Sequence, residues 1–186
     1  MSVDCEHTIA EIKSEFPRFC IVEKSESRLC KAIDVALRIL TFNGQRSFLT
    51  EYYTVIGDTL YVPPGWDETP HDERVIVLRH ERVHLRQRRR YGLPLMTFLY
   101  LVPFLPIGLA YGRARIEWEA YTETLRATAE LRGKLAVRDP ALRQKIVGRF
   151  TGPDYGWMWP FGRSVERWYD EVVAEIEGEP ASWQHR

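Results

Sequence analysis

The sequence lacks a surplus of either charge. Lys and Arg together number 26, and so do Asp and Glu. No global field therefore draws the chain to nucleic acid or to an anionic surface, and any electrostatic partner must be read from local patches. Cysteine is scarce. Cys5, Cys20 and Cys30 are odd in number and contain no CxxC, which excludes a disulfide framework and suits a reducing compartment. The opening stretch MSVDCEHTIAEIKSEF has no apolar core of a signal peptide, so the expected location is the cytoplasm. Repeats, low-complexity segments and an obvious linker are also missing. Residues 1–186 are expected to form a single domain. What is present suits a globular core: 45% hydrophobic residues, with six Trp, nine Tyr and eight Phe.

Hydrophobic spacing predicts an α+β chain, mostly helical with a small antiparallel sheet. Residues 4–16 read as a helix with Ile9, Ile12 and Phe16 on one stripe, ended by Pro17. A second helix is expected at 27–40 with Leu29, Ile33, Leu37 and Leu40 at helical spacing. SFLTEYYTVIGDTLYVPP turns at Gly57-Asp58, which predicts strands near 47–56 and 59–62. Helices follow at about 70–90 and 113–132. Asp139-Pro140 starts another, as N-cap and first helical residue. A last helix, about 164–177, buries Val165, Trp168, Tyr169, Val172, Val173 and Ile176.

The third helix carries RHERVHLRQRRR, Arg79 to Arg90. His80-Glu81-Arg82-Val83-His84 is HExxH. Residues four apart on a helix share a face, so two imidazoles can each give one nitrogen to a single Zn²⁺. Glu81 lies about 100° round from His80, within reach of a water beside the metal. A zinc-activated water and a glutamate that takes its proton are the working parts of a metal hydrolase. The plain alternative is a charged helix with two ordinary histidines. Arg79, Arg82, Arg86, Arg89 and Arg90 recur on another flank and read as a solvated face. Gln87 extends the histidine stripe and suits either a supporting hydrogen bond or a plain polar contact.

A catalytic zinc site needs a third protein ligand. His7, His71 and His185 have no helpful spacing. RIEWEAYTET offers Glu117 and Glu119 at the start of the long helix. Both also suit a solvated first turn, where the helix dipole favours acids.

HExxH followed by E-x-x-A on a later helix resembles the gluzincin zinc metallopeptidases. That resemblance implies a zincin-like fold with the sheet beside the HExxH helix, Zn²⁺ as cofactor, and a peptide or protein substrate. It implies His80, His84 and Glu117 as metal ligands and Glu81 as catalytic base. Glu117 with Ala120 matches the family's register, and Glu119 with Glu123 is the alternative. Tyr121 stands where the family often has Asp or Asn. TVIGDTLYVPP, HExxHxxQ, RYGL and EWEAY also resemble poorly characterised bacterial metallopeptidase-like proteins, over about residues 50–124.

LPLMTFLYLVPFLPIGLAY, residues 93–111, carries no charge. Pro103 and Pro106 break it, and one crossing would strand Glu117 across the bilayer from the histidines. Burial or a peripheral membrane contact through 93–111 is the expectation. The 47–62 hairpin reads either as a core cover or as an edge that pairs with extended substrate. The aromatic stretch GPDYGWMWPFGR reads as a core cap, or as a pocket wall with Tyr155 or Arg163 facing the substrate carbonyl. The rival to an enzyme is a non-catalytic interaction protein, docking through the arginine-rich helix or the aromatic stretch. No nucleic-acid partner is expected.

Overall fold

The computed structural model describes residues 4–40, 46–92, 94–96, 109–152, 158–159 and 161–178. It is mostly helical with one small sheet, an α+β arrangement. Two compact units divide the chain, Met1–Leu85 and Arg86–Arg186, and the boundary falls inside one helix.

The first unit opens with α1, Cys5–Glu15. Its buried stripe is Cys5, Thr8 and Ile12, and Phe16 closes it with a backbone bond to Ile12 O. Strand β1, Cys20–Glu23, follows, and then α2, Arg28–Leu40. The hairpin pairs β2, Thr54–Ile56, with β3, Thr59–Val62, around Gly57 at φ 62°. Glycine tolerates that left-handed backbone without a Cβ clash.

The sheet order is β1-β3-β2. β2 runs antiparallel to β3, with Val55 opposite Leu60, but β1 runs parallel to it, with Cys20 opposite Thr59. The sheet is therefore mixed, which corrects the antiparallel expectation. The four residues CIVE were too short a run to stand out as a strand. The first hairpin strand is also shorter than expected, because Thr50 N and Glu51 N donate to Ser47 O and make a turn of that stretch. Leu60 and Val62 are buried while Thr59 and Tyr61 are not, the period of two that a half-buried strand requires.

Helix α3, His71–Tyr91, carries acids in its first turn and arginines in its last, in the sense the helix dipole favours. Arg82 is not on a solvated face. It donates to Glu11 Oε2 at 2.7 Å and to Glu15 Oε1 at 3.0 Å, tying α3 to α1 within the first unit.

The second unit holds the end of α3, then α4, Leu109–Arg132, a 3₁₀ helix, Lys134–Arg138, α5, Pro140–Thr151, and α6, Gly162–Glu177. Asp139 caps α5 as expected, its Oδ1 accepting from Ala141 N at 2.9 Å with Pro140 beside it. The core gathers Leu125, Val137, Ile146, Phe150, Val165 and Tyr169, with Trp118, Trp168 and Ile176 packed against it. Tyr169 donates to Val137 O at 2.8 Å, which satisfies the hydroxyl inside the core. Burial pushes its pKa up to about 12.

No helix among the described residues is long and apolar enough to cross a membrane. Most of the apolar run, 97–108, lies outside the described residues, as do half of the aromatic stretch, including Tyr155, and His185.

Candidate metal centre

In the first unit, α3 sets the histidine pair. Val75, Ile76, Leu78 and Leu85 bury one side of the helix. Glu81 and His84 are buried with them, and His80 is half-buried. The two Nε2 atoms lie 3.2 Å apart, with ring planes at 77°. Two zinc–nitrogen bonds of about 2.05 Å at a tetrahedral angle would hold their nitrogens roughly 3.3 Å apart. The pair fits that spacing. The same separation also suits one ring donating its proton to the other, the arrangement of an ordinary histidine pair.

Lys24, directly after β1, is fully buried. Its Nζ donates to Phe48 O at 2.7 Å and to Thr54 Oγ1 at 2.9 Å, and lies 3.7 Å from the centre of the Phe48 ring. Burial lowers its pKa to about 8, against the opposing pull of Cys30, Glu81 and Asp34. The Glu81 carboxylate therefore sits within electrostatic reach of a buried ammonium, and the attraction is mutual. Tyr53 belongs to the same neighbourhood. Burial raises its hydroxyl pKa, and the charges of Glu73 and Glu81 add to the rise. Neither Lys24 nor Tyr53 was read as part of a site from the sequence. A lysine after a four-residue strand carries no motif, and only the fold brings it toward Glu81.

In the second unit, α4 sets the glutamates. Glu117 and Glu119 are two apart, so the helix turns them about 200° from each other. Glu117 is 3% exposed, whereas Glu119 is exposed. Gln87, 2% exposed, donates through Nε2 to Ile116 O at 3.0 Å and to Glu119 Oε2 at 2.8 Å. These are polar contacts to a backbone carbonyl and to the acid two residues beyond Glu117. Arg163 is exposed in the first turn of α6.

All three cysteines are free thiols, Cys5 and Cys30 buried and Cys20 exposed. His71 bonds Asp4 and Cys5 N at the start of the first unit, apart from the motif.

Comparison with protein-family models, curated proteins and solved structures finds no match to this chain. The gluzincin resemblance thus stands on its motif residues alone.

Proposed function

We propose that the chain is a zinc-dependent peptidase of zincin-like fold. His80, His84 and Glu117 would hold the ion, and Glu81 would act as general base. One observation carries the reading: the Nε2 atoms of His80 and His84 lie 3.2 Å apart, the spacing at which two imidazoles share one zinc ion, and Glu117 is the third donor that the E-x-x-A register implies. Two imidazoles and one carboxylate are a donor set that zinc accepts, and three protein ligands leave a fourth position open.

When bound, the ion supplies a low pKa for water and a charge that polarises a carbonyl. Glu81 does the proton work. Its carboxylate takes a proton from the attacking water and passes it to the departing amine, so the peptide C–N bond breaks while a C–O bond forms. The sheet suits an extended peptide as substrate. With β3 in the middle, β1 and β2 each keep one edge unpaired among the described residues, and a peptide strand can add there through main-chain hydrogen bonds. We place the activity in a reducing compartment, in keeping with three free thiols.

Glu81→Gln tests the mechanism. The amide cannot accept the proton, so the variant should bind zinc as the wild type does and lose at least about a hundredfold in peptide hydrolysis. Hydrolysis that survives in a zinc-loaded Glu81→Gln removes the general-base assignment. A wild type that folds, takes up zinc and cleaves no member of a broad peptide library removes the peptidase assignment and leaves a zinc-holding interaction protein.

A further inference from the structure

A second surface lies wholly in the second unit. The end of α3 and the start of α4 border a cleft of about 510 Å³. Trp118 and Trp168 line it, and Arg90, Tyr91, Arg115 and Glu119 border it. Arg90 and Arg115 are both exposed, and neither makes an ion pair among the described residues. Arg90 lies over the Tyr91 ring instead, at 5.4 Å. Glu119, the acid among the described lining residues, accepts a hydrogen bond from the Gln87 amide. The cleft thus offers two cations that have no acidic partner among the described residues, beside two tryptophans.

Its position in the chain indicates the occupant. Arg90 and Tyr91 stand just before the 19 uncharged residues 93–111, and Gly112 and Arg115 stand just after them. Gln87 bonded to Ile116 O holds the two described flanks of that stretch together. Two helical crossings would take about forty residues, so nineteen cannot cross a bilayer and return. Leu95, inside the stretch, is 45% exposed, and Tyr91 is 38% exposed. Arginine beside tyrosine and tryptophan, next to exposed aliphatic surface, is the chemistry of a membrane interface. The cations meet headgroup phosphates and the rings sit at headgroup depth.

We infer that this face docks the protein on a bilayer containing anionic phospholipid, with Arg90 and Arg115 holding lipid phosphates at the mouth of the cleft. The inference does not depend on the zinc site.

Vesicle co-sedimentation tests it, with the full chain, phosphatidylcholine vesicles, and vesicles in which about 30% of the lipid is phosphatidylserine. The protein should pellet with the anionic vesicles, stay in solution with the neutral ones, and be released by high salt. Each arginine near such a surface is worth about fivefold in partition, so Arg90→Gln with Arg115→Gln should weaken binding roughly 25-fold. Arg126→Gln, at an exposed residue paired with Glu175 elsewhere in the unit, should change it little. The double variant should melt as the wild type does, since both residues are exposed and make no ion pair among the described residues. No pelleting above the neutral-lipid level overturns the inference. So does equal loss in Arg126→Gln and the double variant, or tight binding to soluble polyglutamate without vesicle binding.

Discussion

Lys24 gives a prediction whose size can be worked out. Its ammonium is fully buried, and its pKa falls from 10.5 to about 8. Below about pH 8 the lysine is charged in both the folded and unfolded chains, and the folded state bears the full cost of the buried charge. Between about 8 and 10.5 the unfolded chain holds a proton that the folded chain has released. The unfolded state then binds more protons, so stability rises with pH. Integrated from pH 7 to pH 10, this one group should add about 2.5 kcal/mol of stability.

Lys24→Met keeps the length of the side chain against Phe48 and removes the charge. It also leaves Phe48 O and Thr54 Oγ1 without their donor, at about 1–3 kcal/mol for each. At pH 7 the gain and the loss offset in large part. The variant should then lie within about 2 kcal/mol of the wild type. The decisive quantity is the pH trend. Urea unfolding followed by tryptophan fluorescence at pH 7, 8, 9 and 10 should show the wild type gaining about 2.5 kcal/mol relative to Lys24→Met. Titrations common to both chains cancel in that difference. Stability curves that run parallel from pH 7 to 10 would refute the buried-ammonium reasoning.

Asp139→Ala removes the cap of α5 and should cost about 1 kcal/mol, seen as a lower urea midpoint with an unchanged slope. Tyr169→Phe leaves Val137 O without its donor in the second unit's core and should destabilise by about 1–2 kcal/mol in the same assay. Because burial pushes Tyr169 up to about 12, the wild type should show at least one fewer tyrosine ionising by pH 11 in ultraviolet absorbance than its unfolded chain does. Titration of the full tyrosine complement at ordinary pH in the folded protein would contradict that burial.

The elements with a clean period of 3.6 were legible in the sequence. Ile12 and Phe16 on α1, and Val165, Tyr169, Val172 and Val173 on α6, are buried where spacing put them. Asp139-Pro140 was legible because cap chemistry is local. The stripe on α2 was not. Leu29 is 47% exposed, while Cys30 and Asp34 are buried. That helix has apolar residues on more than one side, including Val35 and Ile39, and spacing alone could not choose its buried face. β1 escaped because its partner β3 is remote in sequence and the pairing is parallel, so no hairpin turn marked it. The start of α4 came four residues earlier than read, for Leu109 to Gly112 carry no cap signal and no acid in the first turn.

The candidate site shows the same division. His80 and His84 were legible because one helix fixes their spacing. The choice between Glu117 and Glu119 was not, because two acids two residues apart differ only in which side of α4 the fold buries. Lys24 and Tyr53 were invisible, since their place near Glu81 is a property of tertiary structure.

Zinc stoichiometry is the measurement that bears most directly on the proposed centre. The chain would be purified free of metal, loaded with limiting zinc and analysed by plasma mass spectrometry, beside Glu117→Ala and Glu119→Ala. The account predicts a single tightly held zinc in the wild type and in Glu119→Ala, and a marked loss of affinity in Glu117→Ala. A folded wild type that holds no zinc would contradict it, as would a loss confined to Glu119→Ala.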